Sequence, residues 1–183
     1  MNITRRSILG VLALAPLLSV TDAFALDRAG DGYYHTGDGI RVKHITIIGD
    51  VRVYSISHMM RDLPPAKSKQ AVIDMDTNKR LTWKMLRDVG EQKIQDALRE
   101  GFQMNGYNDA AKINQAVGVF NKELVENTYV TITYESDKKA TTFAVAGGAS
   151  TTIQGIDFMK ATWRVWFGKI DQPSLSDQLI SKI

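Results

Sequence analysis

The side chains best suited to binding a metal or moving a proton near neutral pH are the three histidines, His35, His44 and His58. Their spacing matches no metal-ligand pattern. His44 and His58 fall in β-branched runs, where an imidazole is most simply a structural strand residue. The chain has no cysteine, which excludes thiol nucleophiles, thiolate-bound metals and disulfides. Acidic residues are scattered, and no carboxylate pair stands apart for acid–base work. Gly-x-Ser-x-Gly, phosphate-loop and dinucleotide-binding patterns are all missing. Residue types and spacing therefore lead to the expectation of a domain with no cofactor and no metal.

The composition agrees with an ordinary globular protein, at 44% hydrophobic and 23% charged residues. A net charge of +3, well mixed with acids, gives no reason to expect nucleic acid as a partner.

The first 25 residues, MNITRRSILGVLALAPLLSVTDAFA, read as a cleavable export signal. A basic start at Arg5-Arg6 precedes an apolar run from Ile8 to about Val20, and Ala23-Phe24-Ala25 offers a small-x-small cleavage site. The apolar run is too short for a spanning helix and is broken by Pro16. Cleavage near Ala25 would leave a periplasmic or secreted protein without a permanent anchor. The arginine pair also fits the twin-arginine variant of such signals.

The elements that must position any site follow from periodicity. Residues 26–37 are glycine-rich and predict a flexible leader, ahead of one domain over 38–183. IRVKHITII (40–48) and VRVYSISHMM (51–60) predict a hairpin turning at Gly49-Asp50. QAVIDMD (70–76) and RLTWKML (80–86) read as two more strands. Ile94, Leu98 and Phe102 fall at helical spacing, as do Ile113, Ala116, Val117, Phe120 and Leu124, the second set behind a cap at Asn108. YVTITYE (129–135), TTFAVAGG (141–148) and TTI (151–153) return to strands. A helix over 156–167 ends at Gly168, and a short one follows over 175–180. Strands and helices in segregated runs indicate an α+β fold, with helices layered on one face of an antiparallel sheet. The tryptophans Trp83, Trp163 and Trp166 read as core.

Four stretches carry a resemblance to a known family: GDGIRVKHITIIGDVRVYSISHM (37–59), TWKMLRDV (82–89), GYNDAAKINQAVGVF (106–120) and TIQGIDFMKATWRVWFGKIDQPSLSDQLI (152–180). In order and spacing they resemble the chalcone isomerase family, and in particular its bacterial, periplasmic branch. The resemblance implies a ligand cleft between sheet and helices. It places Arg41 in that cleft, matching the arginine that follows the family's Gly-x-Gly-Ile turn. Tyr107 and Asn114 match a tyrosine and an asparagine seven residues later that line the same cleft in the plant enzymes.

Two functions follow from the resemblance. In an isomerase (an intramolecular lyase) Arg41, Tyr107 and Asn114 would be catalytic. In a relative of the fatty-acid-binding branch, Arg41 with Tyr54, and with Tyr107 and Asn114, would hold a small apolar ligand by its acidic head. The plant enzymes carry a threonine in the strand after the arginine, where this chain has Val53-Tyr54-Ser55. That departure favours binding over catalysis. A guanidinium, always charged and forked, suits a carboxylate in either case.

Overall fold

The computed structural model describes residue 26 and residues 28–183. The export signal expected over residues 1–25 lies outside the described residues. Six strands form one antiparallel sheet in simple chain order: β1 (Tyr34–Ile45), β2 (Gly49–Met60), β3 (Lys79–Met85), β4 (Tyr129–Glu135), β5 (Ala140–Val145) and β6 (Ser150–Gln154). Five helices complete the fold: α1 (Lys69–Asp74), α2 (Glu91–Met104), α3 (Ala110–Val117), α4 (Ile156–Phe167) and α5 (Pro173–Gln178). The α+β expectation holds.

Strand alternation sorts the side chains. Tyr54, Ile56, His58 and Met60 of β2 are buried, as are Leu81, Trp83 and Met85 of β3 and Val130, Ile132 and Tyr134 of β4. These form the face on which the helices pack. The intervening residues, among them Ser57, Thr82 and Thr131, pair across neighbouring strands on the opposite, half-exposed face. Helix α4 is the centre of the helical layer. Phe158, Met159, Trp163, Trp166 and Phe167 are all buried in it, between the sheet and helices α1, α2 and α5.

Several sequence expectations need correction. The leader is shorter than 26–37, because Tyr34–Gly37 already belong to β1 and pair with β2. Thr36 is fully buried as the extra residue of a bulge between His35 and Gly37. Gly37 and Gly39 lie within the strand and form no turn. A Cβ on Gly37 would fall 2.1 Å from the Gln178 carbonyl oxygen, and one on Gly39 would fall 2.4 Å from Leu175 Cδ1. Both glycines exist so that α5 can lie directly on β1. The hairpin turns three residues earlier than expected, at Thr46-Ile47-Ile48, where the Ile48 amide donates to the Ile45 carbonyl at 3.0 Å.

The strand expected at 70–76 is helix α1. Ser68 caps it by accepting from the Ala71 amide. Val72 and Ile73 are both buried, and adjacent strand residues would face opposite ways. A helix lets both face α4. Its open C-terminal carbonyls, Val72 and Ile73, accept from the buried Lys79 Nζ at 2.6 and 3.2 Å. Helix α3 is shorter than its apolar period, ending at Val117, and its cap is Asp109. Phe120 and Leu124 are still buried, from an irregular segment that bridges to Val89. Helix α5 starts earlier than expected, at Pro173.

His58 behaves as a structural strand residue. Trp163 Nε1 donates to its Nε2 at 3.0 Å, so the ring proton sits on Nδ1 and is donated to Thr36 Oγ1 at 2.6 Å. The Thr36 hydroxyl donates in turn to the Leu179 carbonyl at 2.8 Å. Burial holds the imidazole well below its usual pKa of 6.5, and every hydrogen bond it makes suits the neutral ring.

Candidate functional site

The cavity with the clearest chemistry lies where α2 and α4 meet the inner face of β2 and β3. Tyr54, Trp83, Ile94, Leu98, Val165 and Trp166 form its apolar walls, and Arg41, Lys43 and Asp171 form its polar end. The Arg41 side chain is only 12% exposed, whereas those of Lys43 and Asp171 are 42% and 44% exposed. The charged end is therefore the mouth.

Arg41 pairs with Tyr54 across β1 and β2, and a second bulge follows at once, with Val53 as the extra residue. Bulges redirect side chains, and this one sits beside the arginine. The guanidinium meets a carboxylate already: Nη2 lies 2.5 Å from Asp171 Oδ1. Lys43 Nζ donates to the other oxygen, Oδ2, at 2.6 Å. Burial raises the Asp171 pKa, but the Lys43 hydrogen bond and the Arg41 charge outweigh it and hold the carboxyl below its ordinary value.

The segment that delivers Asp171 is anchored by its neighbour. Gln172 Oε1 accepts from the Val42 amide at 2.8 Å and from Arg41 Nη1 at 3.3 Å, while Gln172 Nε2 donates to the Ile40 carbonyl at 2.9 Å. One amide side chain thus covers the open hydrogen-bonding edge of β1, as a further strand would.

Tyr54 lies flat against Trp83, with ring centroids 4.9 Å apart, and its hydroxyl accepts from Trp166 Nε1 at 3.2 Å. Burial raises its pKa, so it stays a neutral phenol. Trp83 also lines the cavity, and its buried Nε1 has no partner among the described residues.

The structure brings Arg41 and Tyr54 together. Tyr107 and Asn114 do not line this cavity. Tyr107 lies after α2, packed on Phe102 and Phe158, and its hydroxyl donates to Asp157 Oδ2 at 3.1 Å. Burial, with the Asp157 charge beside it, raises the Tyr107 pKa. Asn114 is exposed on α3. Among the described residues there is no cluster of His, Asp and Glu placed to hold a metal ion, and no helix long and apolar enough to cross a membrane.

Sequence reasoning missed Lys43, Asp171 and Gln172. No local pattern joins Arg41 to a loop 130 residues away. Trp83 and Trp166 are core, as expected, and they are also cavity wall.

A six-stranded antiparallel meander with one helical layer, and an arginine at the mouth of a sheet–helix cleft, defines a small class of α+β domains. A family model described as chalcone isomerase-like matches residues 24–179, and the chain belongs to that family. Among solved structures, it is similar to the fatty-acid binding protein AtFAP1 of Arabidopsis thaliana, with a TM-score of 0.66 and 12% identity over 82% of this chain and 88% of that one. At that identity the likeness is one of fold. A search of curated proteins found no match.

Proposed function

We propose that this chain is an exported, non-catalytic member of the bacterial branch of its family that binds a small apolar ligand with an acidic head, such as a fatty acid. Arg41 takes the head and the cleft between β2, β3, α2 and α4 takes the chain. The observation that carries this is the carboxylate of Asp171, which is held by Arg41 Nη2 at the mouth of an apolar cavity. A ligand carboxylate would replace it. One solved structure of the same fold, that of AtFAP1, is of a fatty-acid binding protein, which supports the choice of ligand. The isomerase alternative needs Tyr107 and Asn114 beside Arg41, and neither lines this cavity.

The cavity measures about 70 Å³, small beside the roughly 300–1,000 Å³ of ordinary ligand pockets. Admission of an acyl chain therefore requires the cavity to widen. Gly101 of α2 lies so close to α4 that a Cβ there would meet Val165 Cγ1 at 2.9 Å. The two helices are in closed contact along this seam.

The test compares a long-chain fatty acid with its methyl ester by displacement of a fluorescent probe. A hydrogen-bonded charge is worth about 1.5–3 kcal/mol, so the ester is expected to bind at least about tenfold more weakly. Arg41→Ala should abolish the difference. Equal affinity of the unmodified protein for acid and ester would overturn the proposal. Export is checked separately: protein recovered outside the cytoplasm should begin at Leu26.

A further inference from the structure

The β1–β2 hairpin outruns the sheet. Strand β3 accompanies β2 as far as Tyr54, opposite Met85, with a last bond from the Leu86 amide to the Val53 carbonyl, whereas β1 and β2 stay paired out to Ile45 and Gly49. Residues 42–45 and 49–52 thus form a two-stranded ribbon reaching about 13 Å past β3, at roughly 3.3 Å per residue.

Hairpin turns are normally built from Asn, Asp and Gly. This one reads Ile45-Thr46-Ile47-Ile48 and leaves the positive φ, +83°, to Gly49. Ile47 is 95% exposed and Ile48 72% exposed, the two most exposed large hydrophobic residues among those described. Ile45 stands beside them at 41%. The ribbon has no third strand to bury these side chains against, so folding gains nothing from them. Behind the apolar tip come Lys43, His44 and Arg52; Lys43 is paired with Asp171 and Asp50 Oδ1 lies 2.9 Å from the His44 ring, which leaves Arg52 as the cation with no carboxylate partner among the described residues. At the base of the same ribbon, Arg41 and Lys43 frame the cavity mouth.

An apolar tip backed by cations is the pattern of a segment that enters the boundary layer of an anionic bilayer. We propose that the hairpin docks this domain on such a bilayer. Ile45, Ile47 and Ile48 enter the acyl boundary, Arg52 lies against anionic headgroups, and the cavity mouth faces the lipid surface. Docking goes beyond ligand binding and does not depend on it, since the tip touches no wall of the cavity.

The experiment is vesicle flotation without added fatty acid, using phosphatidylcholine vesicles with and without about 30% phosphatidylglycerol, the anionic component to which basic groups are drawn. Both the full chain and residues 26–183, the product of the expected cleavage, are used, because the apolar N-terminal stretch is absent from the second. Expected are binding of residues 26–183 to anionic vesicles, and a loss of at least about tenfold in the double variant Ile47→Asp, Ile48→Asp, since affinity scales with the apolar area inserted. Ile47→Trp should give an emission shifted to the blue on the same vesicles.

The double variant should keep the unfolding midpoint and fatty-acid affinity of the unmodified protein, which separates failure of docking from failure of ligand binding. Three results would overturn the proposal: no binding of residues 26–183 to anionic vesicles, equal binding by the double variant, or a solution dimer that the variant dissolves. The last would make a second copy of the chain the occupant of the tip.

Discussion

Replacing Asp171 by asparagine removes the carboxylate that Arg41 and Lys43 now share, at 2.5 and 2.6 Å. A ligand carboxylate must displace that group, so the strength of the internal pair sets a handicap on binding. Asp171 is 44% exposed and Arg41 12% exposed. Exposed ion pairs contribute about 0.2–1 kcal/mol, and hydrogen bonds to charged groups in less exposed sites about 1.5–3 kcal/mol. With one buried and one exposed cation, the pair is worth about 1–1.5 kcal/mol. At about 1.4 kcal/mol per factor of ten, Asp171→Asn should tighten fatty-acid binding some five- to tenfold. The assay is calorimetric titration with one fatty acid, run on the unmodified protein, Asp171→Asn, Arg41→Ala and the double variant. Arg41→Ala should weaken binding by at least about tenfold. In the Arg41→Ala background the asparagine should confer less, because only Lys43 is then released. Gln172 still ties the loop to β1 through Ile40 and Val42, so the fold is expected to survive. An Asp171→Asn protein that keeps its unfolding midpoint and binds no more tightly would refute the head-group role of Arg41.

Gly101→Ala places a methyl group 2.9 Å from Val165 Cγ1; overpacking of about 1–3 kcal/mol should outweigh the helix-propensity gain of about 1 kcal/mol and lower the calorimetric Tm, with Val165→Ala restoring part of it. The His58 network gives a pH dependence. The folded pKa is pushed below 6.5 by burial, so the unfolded chain binds the proton first, and stability present above pH 6.5 is lost as pH falls toward the depressed folded value. Urea midpoints should therefore drop between about pH 7 and 5, and a flat profile there would contradict the neutral Trp163–His58–Thr36 chain.

The fold was largely readable in the sequence, and the failures have physical causes. Alternation marked β2, β3 and β4 because one face of the sheet is buried and the other half-exposed. It misled at Val72 and Ile73, where β-branched residues serve a short helix held by Ser68 and Lys79. The hairpin turn was misplaced because Gly49-Asp50 has turn chemistry while Thr46-Ile47-Ile48 has none. Arg41 was found only through family resemblance. Its position after Gly37 and Gly39 reflects the seat of α5 on β1, which no local pattern discloses. Asp171 and Gln172 were invisible because their meaning comes from tertiary contact with an edge strand far away in sequence.

The contact of β1 with the C-terminal segment has a consequence for synthesis. Thr36 bonds to the Leu179 carbonyl, the Lys182 amide donates to the Thr36 carbonyl at 3.0 Å, and Gln172 covers the β1 edge. The ribosome makes β1 first and its cover last. Strands β2 to β6 can zip onto one another as they emerge, since each neighbour in the sheet is also the next strand in the chain, but β1 keeps a bare edge until residues 172–182 clear the exit tunnel. The nascent domain therefore stays incomplete until synthesis has passed that point.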